Sequence, residues 1–398
     1  MSVTFWQSLR EESRRNYAAV FERNWPGWLA GIFVAILALL IFMWHSSWGI
    51  TGGYRNWGDW IVYGLGIGSE KPEVPWLNTM SMSNIGLLVG AVASALLGRQ
   101  FKIRLAPAYE YLKGFVGGAC MGIGAALAAG CNIGGFYNAI GMFSMGGYAM
   151  MIGLGAGAFL GLKILIWELS NIPQKAAGAP KPQNLQKKPW IDWGKVAPYM
   201  GGMILVLIVA AFYVYSYLGH TLVGGLLFFG ALIGITMHRS RMCFVRAFRD
   251  PFMTGDAEMV RVIAMSLMIY GLGSAVIKWN YLQPEMMGVH HPFWLGSLLG
   301  GVVFGFGMLL AGGCGTGALW RAGEGHTKLM LTLLAFSVFN SLGYKVLHGT
   351  GLMDKLGSGT FMPDVFGWEI ALPLYLLILL AWAFWAIWNE KSEKYVIF

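Results

Sequence analysis

The chain is 398 residues long, 56% hydrophobic and only 12% charged, with a formal net charge of +9. Soluble domains carry about 25% charged residues, so this composition excludes an ordinary soluble protein. The surplus of Lys and Arg fits the cytoplasmic loops of a membrane protein better than nucleic-acid binding, and a basic vestibule that attracts an anion is the second reading.

In chain order, segment 1–27 is polar and of mixed charge, and it lacks the short apolar core of a cleaved signal peptide. Its Arg10, Arg14, Arg15 and Arg23 place it on the cytoplasmic side. Apolar runs follow near Trp28–Trp44 and Met82–Gly98; crossing a bilayer takes roughly 20 such residues. The stretch Arg99–Lys113 is basic again, hence inside. Tyr111–Gly130 counts as one crossing that ends in glycine, and Ala149–Leu169 is the next. A Pro- and Lys-rich stretch, 170–196, is the clearest boundary in the chain and reads as a cytoplasmic linker. Beyond it, runs near Tyr199–Leu218, Leu226–Met237, Val260–Lys278, Phe293–Gly312, Leu329–Leu347 and Ala371–Trp388 lead to a basic tail, 390–398. These elements predict an all-α polytopic membrane protein of about 9–10 spans, with membrane repeats over 28–169 and 197–389 and both termini inside.

The stretch "LAAGCNIGG" (127–135) has an echo, "LAGGCGTGA" (310–318), 183 residues later. Gly117, Gly118, Gly122 and Gly124 match Gly300, Gly301, Gly305 and Gly307, and Cys131 matches Cys314. The charged loops orient the two copies oppositely, which predicts inverted repeats around a central path. The early glycines suit close helix packing. The later ones, Gly130, Gly134, Gly313 and Gly317, should break a helix. A break at membrane depth must be buried or line a polar cavity, and a helix start beyond it favours an anion.

Cys120, Cys131, Cys243 and Cys314 form no CxxC pair, so no metal site is expected, while a disulfide stays open. Cys243 lies among Arg239, Arg241, Arg246 and Arg249, which read either as a positive-inside loop or as groups that gather an anion at the cytoplasmic mouth. Arg321 and Glu324 are spaced to pair on one helix face, as an ion pair or a gate. His290-His291 reads as interfacial. No Walker motif and no nucleophile with a positioned base is present, so neither a catalytic residue nor a cofactor is expected.

Three stretches, "GFVGGACMGIGAALAAGCNIGG" (114–135), "RSRMCFVRAFRD" (239–250) and "GGVVFGFGMLLAGGCGTGALWRAGEG" (300–325), resemble the YeeE/YedE family of sulfur-compound transport proteins. Residues from about Leu222 onward look like the first half of the members known for thiosulfate uptake, and residues 21–169 like their second half. The halves thus stand in the other order, as in the YedE branch associated with selenium metabolism. The resemblance implies an hourglass-shaped protein of the bacterial inner membrane. In it, Cys243, Cys314 and Cys131 pass a sulfur or selenium anion along by S–H···S contacts, and a TusA-like sulfur-carrier protein is the implied partner. Met242 stands where the family more often has an aromatic residue, and Cys120 has no counterpart. A membrane sulfurtransferase forming a cysteine persulfide, and an assembly factor for selenium metabolism, are the alternatives.

Overall fold

The structure is a computed structural model that describes residues 5–68, 70–171, 193–279, 289 and 293–397. The linker read at 170–196 and the His290-His291 pair fall largely or wholly outside these residues. The described chain is helical: α1 (Phe5–Tyr17), α2 (Gly27–Trp44), α3 (Thr51–Gly64), α4 (Thr79–Leu97), α5 (Ala108–Leu127), α6 (Asn132–Gly141), α7 (Met145–Asn171), α8 (Trp193–Tyr217), α9 (Thr221–Ser240), α10 (Phe244–Met253), α11 (Glu258–Trp279), α12 (Leu295–Ala311), α13 (Gly315–Gly323), α14 (Thr327–Gly349) and α15 (Trp368–Ser392). Among the described residues nine helices are long and apolar enough to cross a membrane, and the bent pair α5–α6 makes a tenth. The fold is that of an all-α polytopic membrane protein, and every apolar run read from the sequence coincides with one of these spans.

Two of the spans, Thr221–Met253 and Leu295–Gly323, run through a break, and α5 meets α6 at 47°. The breaks fall where the residues require them. Gly312 ends α12 with a φ of 76°, a left-handed conformation in which a side chain is strained. Arg241 ends α9 in the same region, with a φ of 56°. Each break is followed by a short helix and then a full span. The pattern occurs four times, as α2–α3–α4, α5–α6–α7, α9–α10–α11 and α12–α13–α14. α13 begins at Gly315 and α6 at Asn132, the 183-residue offset read from the sequence.

Small residues hold the halves together. A Cβ on Gly117 would lie 2.6 Å from the Gly307 carbonyl oxygen, and a Cβ on Gly307 2.6 Å from that of Gly117. Gly124 and Gly300 meet in the same reciprocal way, at 2.6 Å. As the numbers rise along α5 they fall along α12, so the two helices cross antiparallel. Exchanging repeat positions (Gly117 for Gly300, Gly124 for Gly307) converts one contact into the other. That is the signature of a local twofold axis between inverted copies, with backbones close enough that no side chain fits between them. α8 and α15 lie at the periphery.

Candidate functional site

All three cysteines singled out from the sequence are N-caps of short helices after a break. Cys131 precedes α6, Cys243 precedes α10 and Cys314 precedes α13, each with extended backbone and at most 1% exposure. The N-cap is where backbone N–H groups lack helical partners, and sulfur meets one of them at Cys131 and at Cys314. The Cys131 sulfur accepts from the Ile133 N–H at 3.4 Å, and the Cys314 sulfur accepts from the Gly317 N–H at 3.3 Å. The Thr316 hydroxyl lies 3.5 Å from the Cys314 sulfur. All four cysteines are free. Cys120 is only half-buried, within α5 and away from any break.

Cys243 and Cys314 are brought together. A Cβ on Gly317 would lie 3.1 Å from the Cys243 sulfur and 3.2 Å from the Cys314 sulfur. The two thiols therefore face each other across this glycine, within hydrogen-bonding reach. The Trp320 indole N–H donates to the Met242 carbonyl at 3.2 Å, tying α13 to the residue before Cys243. Gly313 approaches Leu329 and lies outside this contact.

Cys131 stands on the other side of a buried tyrosine. The Tyr54 hydroxyl donates to the Gly315 carbonyl at 2.8 Å and is within electrostatic reach of both Cys131 and Cys314. The Cys131 N–H donates to the Thr51 hydroxyl at 2.9 Å. Gly130 and Gly134 line a cavity of about 400 Å³ together with Gly49, Thr51, Arg55 and Asn340. Arg55 stacks 3.9 Å above the Tyr344 ring in its wall, and Tyr344 in turn contacts His348. This vestibule opens onto the Cys131 break. The amides of Asn132 and Asn138 are fully buried, and neither atom of either has a hydrogen-bond partner among the described residues; an unmet buried amide costs about 1–3 kcal/mol.

Charged residues gather at the opposite mouth, two residues before Cys243. Glu324 receives Arg241 at 2.8 Å and Arg104 at 3.3 Å, with His326 at 3.6 Å. Burial works against the carboxylate, but hydrogen bonds from His326 and Arg241 and the Arg241 charge outweigh it and hold the Glu324 pKa down to about 2. Backbone bonds from Lys102 to Glu324 and from Arg104 to Gly325 stitch the two loops together. The pair expected between Arg321 and Glu324 does not form. Arg321 instead donates to the Gly312 carbonyl at 2.8 Å and stacks on Trp320, because Glu324 lies past the end of α13 and turns toward Arg241. Arg246 and Arg249 are occupied by carboxylates: Arg246 pairs with Asp250, Asp256 and Glu258, and Arg249 with Asp250. They are two cations in a cluster with three carboxylates rather than free cations. Arg321 is within electrostatic reach of Cys243.

Ile50, Thr51, Tyr54, Asn132 and Asn138 were not singled out from the sequence. The first three sit at a break without a cysteine, and the doublet Gly52-Gly53 after an apolar run was the available signal. A larger cavity, about 730 Å³, is a different place. Apolar residues of α7, α10, α12 and α15 line it, and none of the three cysteines reaches it. Among the described residues no three His, Cys, Asp or Glu side chains converge as a metal site.

A family model described as sulphur transport matches residues 3–160 and 239–397. The chain is 27% identical over 293 residues to the "Probable transporter YedE" of Escherichia coli (strain K12), covering 71% of each chain. It is 28% identical over 297 residues to the protein of the same name in Salmonella typhimurium, again covering 71% of each. Over 128 residues, 32% of this chain and 35% of the relative, it is 34% identical to the "Thiosulfate transporter TsuA" of Escherichia coli (strain K12). No solved structure matches. With most of its length matched, and with membrane spans throughout, the chain belongs to the sulphur transport (YeeE/YedE) family of membrane transporters.

Proposed function

We propose that the chain imports thiosulfate, or a selenium anion of like shape, across a bacterial inner membrane through a path that passes Cys131, Cys314 and Cys243 in that order. The observation that carries this reading is the placement of three thiols at three helix starts, between a vestibule holding Arg55 and a mouth holding Arg241 and Glu324. A dianion leaving water needs donors, yet a strong cationic site would trap it. Helix-start N–H groups and S–H groups are weak donors already aimed at one spot. Several weak sites in series favour passage over capture. The terminal sulfur of thiosulfate suits the soft thiols, and the unpaired Asn132 amide beside Cys131 suits its oxygens. The basic segments 1–27, 99–113 and 237–261 support cytoplasmic termini, and a TusA-like carrier is the partner proposed for that face.

The test is uptake into liposomes holding purified protein, with thiosulfate, sulfite, selenite and sulfate in competition. Cys314→Ala is expected to abolish uptake at equal reconstitution; wild-type uptake by that variant sinks the relay. The competing reading is sulfur transfer, favoured by the close approach of Cys243 and Cys314. In it, a Cys243 thiolate attacks the terminal sulfur of thiosulfate, the S–S bond breaks, and sulfite leaves with the electron pair. A gain of about 32 Da on Cys243 after thiosulfate treatment would mark that persulfide, and its absence during active uptake rejects it.

A further inference from the structure

Three of the four breaks are capped by cysteine, and the fourth is not. Ile50 is the N-cap of α3 as Cys243 is the N-cap of α10, the equivalent short helix of the other half. Where the repeated architecture offers a place for a thiol, this chain has a branched hydrocarbon.

The position of that side chain is specific. Ile50 is fully buried. Its chain neighbours Gly49 and Thr51 both line the vestibule. Its Cδ1 lies 3.0 Å from where a Cβ on Gly315 would stand, beside Cys314. Its carbonyl accepts from the Asn84 amide at 2.8 Å, which pins the break. Tyr54, one turn on, reaches the same Gly315 through its carbonyl, and its ring stacks at 4.4 Å on Phe336. The Ile50 side chain and the rings of Phe336 and Tyr54 crowd Gly315, between the vestibule floor and the Cys314 corner.

We infer that Ile50, backed by Tyr54, is a dry constriction that separates the vestibule and Cys131 from the inner thiol pair, and that it sets which anions pass. An apolar pinch expels water, so an anion crosses it only if groups on both sides replace its hydration. Cys131 on one side and Cys314 on the other offer soft S–H donors. A soft, polarisable sulfur anion is handed from one to the other. Sulfate, which offers only hard, strongly hydrated oxygens, and chloride, which has no sulfur to meet the thiols, stop in the vestibule. A fourth thiol at this position would instead extend a continuous polar lining to the inner mouth. This inference rests on the path proposed above, but its test reads accessibility rather than uptake.

The experiment uses membrane vesicles of both orientations and a charged, membrane-impermeant methanethiosulfonate reagent. The orientation in which Thr51→Cys is labelled exposes the vestibule. In that orientation, peptide mass spectrometry of the otherwise native protein is expected to find Cys131 labelled well before Cys314 and Cys243. Ile50→Ala is expected to speed Cys314 labelling roughly tenfold or more and to open a chloride leak, because the pinch admits water. Ile50→Thr, close in volume to Ile50→Val, is expected to do the same, whereas Ile50→Val keeps Cys314 protected. This pair decides the matter should Ile50→Ala misfold. Cys314 labelled as fast as Cys131 in the wild type overturns the inference, as does unchanged protection in both Ile50→Ala and Ile50→Thr. Failure of the wild type to move thiosulfate would overturn the proposed substrate and leave the labelling result standing.

Discussion

Gly317→Ala places a single methyl group between the two inner sulfurs. Its carbon would lie 3.1 Å from one sulfur and 3.2 Å from the other, against 3.4–4 Å for ordinary contact, so both must retreat by a few tenths of an ångström. The sulfurs are not at the far end of flexible chains: each sits on an N-cap residue whose backbone starts a helix. Overpacking of this kind costs about 1–3 kcal/mol. If the strain is felt most when an anion bridges the two thiols, the rate of passage falls by roughly ten- to a hundredfold. Both thiols remain in place, so the loss reports their spacing rather than their presence. Liposome uptake beside a thermal unfolding curve separates the two effects. Uptake by Gly317→Ala at the wild-type rate, while Cys243→Ala and Cys314→Ala are inactive, would refute the claim that the anion passes between these sulfurs.

Arg55→Gln is expected to raise the substrate concentration for half-maximal uptake by roughly fivefold and to weaken its dependence on ionic strength, since a vestibule cation acts by raising local anion concentration. Glu324→Gln removes the carboxylate that pairs with the partly exposed Arg241 and Arg104 and should cost about 1–3 kcal/mol near neutral pH, read as a lower unfolding temperature. The Glu324 carboxylate is lowered from its ordinary 4.5 to about 2, so its stabilising contribution is full above pH 4.5 and is lost as pH falls toward 2; the gap between wild type and variant should close across that window. Gly124→Val drives a side chain into the Gly300 carbonyl and is expected to abolish a monodisperse folded peak on size exclusion, whereas Gly155→Val, whose Cβ meets nothing within 4 Å, should elute normally.

Much of the architecture is visible in the amino-acid pattern because a membrane allows few solutions. Apolar runs become spans, and glycine clusters such as Gly130 to Gly135 become breaks that only a buried site tolerates. The Cys131 and Cys314 breaks announce themselves through their repeat, and Cys243 through the arginines around it. The break at Ile50 has no such mark, since a lone isoleucine after an apolar run looks like more of the span. The partners of the charged residues were also hidden. Arg321 and Glu324 are three apart on paper, but the end of α13 turns Glu324 away, toward the arginine that caps α9 and another on the loop before α5. Arg246 and Arg249 look like free cations until Asp250, Asp256 and Glu258 fold against them. Such pairings depend on three-dimensional proximity that local spacing does not encode.

The reciprocal contacts of Gly117 with Gly307 and Gly124 with Gly300 bear on the direction of travel. A scaffold that maps onto itself when turned over presents the same backbone to traffic from either face, and by itself rectifies nothing. Whatever bias the protein imposes on its cargo must then be written in the places where the two copies differ. Isoleucine stands where the other copy has Cys243, and Asn138 stands where it has Arg321, so on the proposed path an anion that has left the Arg55 vestibule meets neutral side chains before it meets a second cation. Exchanging Asn138 with Arg321 would move that second cation to the vestibule side while leaving the helices that carry it unchanged.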